Sequence, residues 1–163
     1  MWVTQMKAND AFWDNVNVSE GCWYWNGNTV GPYGSHRQDG ITMSAHKFSL
    51  LDSGREIPKG WHVDHLCRNK GCVKPSHLDA CPVAENVNRA RPYTLLAYWT
   101  AMTHSKNRES KISEASRRCA EMDDWLAARI QALEKDIHAP SMESPDQNRR
   151  YTEADLEALR TAA

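Results

Sequence analysis

The chain has 163 residues, 40% of them hydrophobic, and a formal net charge of −1, which is room for one modest domain and an appendage. Its mean hydropathy is −0.71, and no stretch approaches the roughly 20 apolar residues of a membrane span. With 10 basic and 9 acidic residues up to Pro92 and 10 and 12 after it, bulk charge draws the chain neither toward nor away from nucleic acid, so any such binding must come from a local patch. The first ten residues hold no apolar run ahead of a small-residue cleavage site, so a soluble, intracellular protein is expected.

In chain order, residues 1–20 form an N-terminal lead in which Phe12 and Trp13 are candidate anchors. From Cys22 to Trp61 glycines and short alternating runs predict strands and turns. Cys22-Trp23-Tyr24-Trp25 enters a turn at Asn26-Gly27-Asn28, Gly31-Pro32-Tyr33-Gly34 makes a second turn, and Gly40 to Met43 is the return strand. Ala45 to Leu51 has helical spacing and stops at Ser53-Gly54. Val83 to Arg91 is a candidate helix, and Leu95, Tyr98, Trp99 and Met102 share helical spacing beyond it. A long amphipathic helix over 110–138 follows, with Ile112, Ala115, Cys119, Met122, Leu126, Ile130, Leu133 and Ile137 at steps of three and four. Residues 139–150 read as a linker, and the capping-box pattern at Thr152-Glu153-Ala154-Asp155 opens a short helix over 151–163. The division expected is therefore 1–20, 21–92, 93–138, 139–150 and 151–163.

Five cysteines are an odd number for a disulfide framework, so in an intracellular chain they read first as metal ligands or buried thiols. Cys22, Cys67, Cys72 and Cys81 lie in the half of the chain that also holds five of the seven histidines. Cys67 and Cys72 are spaced C-x4-C and His77 follows after four more residues, a thiolate and imidazole set suited to a tetrahedral zinc ion. The fourth ligand is Cys22 if a remote strand is tied to this loop. Cys81 is its rival, although it sits where a strand should bury a small apolar side chain. A second constellation is Asp64-His65 with Asn86. Asp64 and the Asn86 amide oxygen suit a hard divalent cation, and an unprotonated His65 is a natural base for water. One base beside one cation is the equipment of phosphodiester hydrolysis.

Val63-Asp64-His65-Leu66-Cys67-Arg68-Asn69, Cys72-Val73-Lys74-Pro75-Ser76-His77-Leu78-Asp79 and Glu85-Asn86, taken in order, resemble the HNH endonucleases of phage and homing type. Cys22-Trp23-Tyr24-Trp25-Asn26-Gly27, Tyr33-Gly34, Ala45-His46-Lys47 and Ile57-Pro58-Lys59-Gly60 resemble that family's lead-in, so the likeness spans about residues 20–91. The resemblance implies an α+β chain. Its core is a ββα-metal nuclease of two antiparallel strands, a long loop between them and a helix, with a β-rich lead-in and a helical C-terminal extension. It implies a general base in His65, a magnesium or manganese ion on Asp64 and Asn86, and a structural zinc on Cys22, Cys67, Cys72 and His77. It implies DNA as partner, with Arg68, Lys70, Arg89 and Arg91 on phosphates, and a phage or mobile-element enzyme working in the host cytoplasm. One position departs. The family usually has Asn where this chain has Lys74, whose ammonium accepts no hydrogen bond and so cannot pin the loop as the amide does. Asn69 or the zinc is then expected to hold the loop, and the alternative function is a catalytically silent zinc-binding module for DNA or protein.

Trp23, Trp25 and Trp61 are expected in the core rather than stacked on bases. The long helix must bury its stripe against the nuclease core or a second copy, so a homodimer or a packaging or replication partner is open to it. Arg117, Arg118, Arg129, Arg149 and Arg150 are candidates to reach flanking DNA, diluted by Glu121, Asp123 and Asp124.

Overall fold

The computed structural model describes residues 10–102 and 106–136. The start of the N-terminal lead, Ile137, His138, the expected linker with Arg149 and Arg150, and the expected terminal helix lie outside the described residues. The fold is α+β. A short helix α1 (Asp10–Trp13) is followed by a two-stranded antiparallel ribbon, β1 (Val16–Asn17) with β2 (Tyr24–Trp25). β3 (Thr29–Val30), β4 (Tyr33–Gln38) and β5 (Ile41–Ser44) form an antiparallel meander, and α2 (Ala45–Asp52) starts directly from its last strand. The hairpin between β4 and β5 closes on Asp39-Gly40, with φ of 50° and 80°, the two left-handed residues that a tight turn matching strand twist requires. In the preceding hairpin only Gly31-Pro32 turn, and Tyr33 and Gly34 already belong to β4.

β6 (Trp61–His65) pairs antiparallel with β7 (Leu78–Pro82), with Asp64 opposite Asp79 and His65 opposite Leu78. The loop joining them ends in a 3-10 turn at Pro75–His77. α3 (Val83–Ala101) begins at the residue after β7, which gives the strand, strand, helix order expected from the sequence. α3 runs through Pro92, so the composition change there is not an element boundary. A proline inside a helix loses one backbone hydrogen bond, and here its ring is fully buried, which offsets that loss. α4 (Arg108–Lys135) is the long amphipathic helix.

The described chain divides into two compact units: residues 10–83 with 126–136, and residues 84–125. The first has two cores. Phe12, Ala45, Phe48 and Val73 pack with Trp13, Val16, Trp23, Trp25 and Met43, and Leu50, Val63, Leu78 and Ala80 pack with Ile57 and Trp61. Trp23, Trp25 and Trp61 thus pack, partly buried, against the two cores. Gly34 is required in the first core, because a Cβ there would lie 2.5 Å from the Trp25 ring and 2.9 Å from Ala45. Leu126, Arg129 and Leu133 of α4 are buried in this unit. In the second unit Ala115, Cys119 and Met122 are buried, and Tyr93 donates to Asp123 at 2.6 Å. No helix among the described residues is long and apolar enough to cross a membrane.

Candidate functional site

The β6–β7 loop is held from one side by the lead-in. Val73 N–H donates to Trp23 O at 2.9 Å, Trp25 N–H to Gly71 O at 3.4 Å, and Tyr24 bridges Cys72. Ser49 Oγ donates to Val73 O at 2.5 Å, and Leu66 N–H to His77 O at 2.9 Å. Within the loop Asn69 Oδ1 accepts from Gly71 N–H at 3.1 Å, a side-chain pin of the kind that Lys74 cannot make. Lys74 instead reaches Glu134 of α4, with Nζ 2.9 Å from Oε1.

This pinning carries Cys22 to the loop. One donor atom each of Cys22, Cys67, Cys72 and His77 all lie within 4.8 Å of one another. His77 Nδ1 is 3.6 Å from Cys22 Sγ and 3.7 Å from Cys72 Sγ. With metal–sulfur bonds of about 2.3 Å and metal–nitrogen bonds of about 2.05 Å, a tetrahedral angle puts sulfur and nitrogen about 3.6 Å apart. The cluster has the spacing and donor chemistry of a zinc site. Cys67 is pushed up to about 12, first by its hydrogen bond to Cys72 and then by burial. Burial raises Cys22, while the bond from Cys67 lowers Cys72. Cys81 is not in the cluster: it is fully buried in β7, opposite His62.

Asp64 and His65 end β6, both buried. His65 Nε2 lies 3.2 Å from Cys72 O. Donation from Nε2–H to that carbonyl leaves Nδ1 with the lone pair. Burial is the main cause that lowers His65 to about 4, so the ring is neutral at physiological pH. Its ring centroid is 4.6 Å from that of His46 and 6.0 Å from that of Tyr33. Asp64 Oδ1 is 3.4 Å from Arg68 Nη1, and Arg68 holds a left-handed φ of 59° where the chain turns back to His65 O. Asn86 is a half-buried residue in the first turn of α3, in the other unit. A carboxylate and an amide oxygen are the hard donors that magnesium or manganese takes.

The basic candidates separate. Lys70 is exposed, with Nζ 5.8 Å from the Tyr33 ring centroid. Arg68 is bound to Asp64, and Arg91 is half-buried. Arg89 is corrected: it is fully buried, paired with Glu85 at 2.9 Å and seated 4.8 Å from the Trp125 ring, so it presents no face to a phosphate. Arg129 is corrected too. It is 1% exposed and binds Asp79 at 3.0 Å, rather than reaching outward. Arg117 is on the surface, tied to Glu114 and Glu121.

Sequence reasoning missed Asp79, a fully buried carboxylate held by Arg55 at 2.9 Å as well as by Arg129. The available signal was spacing: Arg129 stands three residues after Leu126 and four before Leu133, on the apolar stripe itself.

Residues 51–88 match the family model for HNH endonucleases. That segment contains β6, the metal-ligand loop, β7 and the start of α3. No curated protein and no solved structure matches the chain. Over residues 51–88, therefore, the chain is similar to the HNH endonucleases, which supports the resemblance carried by its sequence.

Proposed function

We propose that this protein is a metal-dependent endonuclease that hydrolyses DNA phosphodiester bonds, with His65 as general base. The observation that carries the reading is the bond between His65 Nε2 and Cys72 O, 3.2 Å long. The residue that orients the base also supplies a thiol to the Cys3His cluster, so zinc bound there stiffens the loop that aims the base. His65 Nδ1 takes the proton from water as its oxygen attacks phosphorus. The bond to the 3′-oxygen breaks, and that oxygen takes a proton from a solvent water, leaving a 5′-phosphate and a 3′-hydroxyl. Asp64 and Asn86 are the residues assigned to hold magnesium or manganese, on the family pattern in which both stand. Bound there, the cation supplies charge stabilisation to the phosphate and the leaving oxygen. Lys70, Arg68 and Arg91 are assigned to flanking phosphates.

The test is plasmid nicking with magnesium or manganese, beside His65→Ala and a chelated control. Conversion of supercoiled DNA by the wild type alone supports the enzyme and its base. Equal conversion by His65→Ala removes the base assignment. No conversion by folded, zinc-loaded protein favours the second reading, a silent zinc module for DNA or protein, which the Lys74 departure motivates.

A further inference from the structure

Next to His65 lies a second buried imidazole for which the reaction above has no use. His46 is the second residue of α2, 6% exposed. Its ring centroid is 4.6 Å from that of His65 and 5.4 Å from that of Tyr33, so three rings from β4, α2 and β6 meet at one point. Among the described residues, Nδ1 of His46 is buried without a hydrogen-bond partner. Burial, with His65 and Lys47 nearby, lowers this group to about 3. It is therefore a neutral ring with one N–H and one lone pair. A buried polar atom left unpaired costs stability that an apolar side chain of the same shape would not. The cost has a purpose if a ligand completes the bond.

The surroundings indicate which ligand. Tyr33 is exposed, and the Lys70 ammonium sits 5.8 Å from its ring centroid. Arg68 lies against Asp64, and Lys47 follows His46 in the chain. Lys70 and Lys47 thus put two positive side chains beside the ring cluster, which favours an anion. A second base beside His65 would only compete for the same proton, whereas an N–H donor in a site screened from water is most effective against charge that builds on a reacting oxygen.

We propose that His46 is a further catalytic residue, donating its ring N–H to a non-bridging oxygen of the scissile phosphodiester. The inference rests on the nuclease reading and adds a substrate contact to it.

His46→Phe keeps a ring against Tyr33 and His65 and removes both nitrogens. The expected result is a kcat for DNA nicking lowered about 100-fold, as when one oxyanion donor is lost, with KM changed less than about twofold and the melting temperature unchanged or higher. His46→Gln, which restores an N–H, should recover about tenfold of that loss. A His46→Phe variant that folds, holds zinc and nicks DNA as fast as wild type overturns the proposal. Should that variant not fold, the wild type decides by nuclear magnetic resonance. The ring-nitrogen signals of His46 should shift when a short DNA duplex is added without magnesium, and no shift overturns the proposal. A wild type that fails to nick any DNA removes the nuclease reading instead. Titration with inorganic phosphate then tests His46 alone: a shift keeps the phosphate contact, and its absence overturns that contact as well.

Discussion

Asp79→Ala is the substitution that should damage this fold most per atom removed. The carboxylate is fully buried, and it neutralises Arg55 at 2.9 Å and Arg129 at 3.0 Å, whose side chains are only 8% and 1% exposed. Removing one partner of a buried pair costs about 3–5 kcal/mol, because the remaining charge stays desolvated and uncompensated. Here two guanidiniums would be left. Arg55 keeps part of its hydrogen bonding through Leu78 O at 2.6 Å, which places the expectation at about 4 kcal/mol rather than twice a single loss. Arg129→Met should cost less, about 1–2 kcal/mol, since Asp79 retains Arg55 and an unbranched apolar chain refills the space. The double variant should be less destabilised than the sum of the two, with a coupling of about 1–3 kcal/mol. Equilibrium unfolding in urea at fixed, saturating zinc would measure all three, because zinc binding itself shifts the midpoint by mass action. An Asp79→Ala protein within about 1 kcal/mol of wild type, or an Arg129→Met protein equally destabilised, would refute the reasoning.

Purified protein should carry one equivalent of zinc, and Cys22→Ser should lose it whereas Cys81→Ser should keep it; metal analysis of the three proteins decides. Lys74→Ala should change stability by less than about 1 kcal/mol, since its partner Glu134 is 44% exposed and solvent screens the pair; a larger loss by urea unfolding would give that ion pair a weight it is not expected to have. His46 is held near 3 against an ordinary 6.5, so the unfolded chain takes up a proton that the folded chain refuses. The stability tied to this group is complete above 6.5 and falls with pH toward 3, by about 2 kcal/mol at pH 5. His46→Phe should lose that slope, and an unaltered difference between unfolding midpoints at pH 7 and pH 5 would count against it.

The Cys3His cluster and the hydrogen-bond partner of His65 meet in one residue. Cys72 offers its sulfur to the cluster and its carbonyl to His65, and the backbone bonds from Trp23 and Trp25 hold both in place. This arrangement gives a reason for Lys74 to be tolerated. A loop pinned by Asn69 and by the backbone of two lead-in residues has less need of a further amide.

Short-range chemistry was legible in the amino-acid sequence. The return strand β5, α2, the periodic stripe of α4 and the C-x4-C spacing with His77 each follow from rules that act within a few residues, as does the adjacency of Asp64 and His65. The tertiary structure decided what depends on distant partners. Cys22 rather than Cys81 joins the cluster because Trp23 and Trp25 bond to the loop, 48 or so residues on, while Cys81 is buried in β7 opposite His62. Arg89 and Arg129 look like DNA contacts in a sequence, since a charged side chain on a helix is ordinarily solvated. Only Glu85 and Trp125 around one, and Asp79 beside the other, reveal that they are buried. The sequence places His46 in the lead-in resemblance, but only packing removes its water and sets its ring against His65. Burial and pairing of charge are properties of the assembled interior, where desolvation makes each partner decisive, and the local pattern of residues does not encode them.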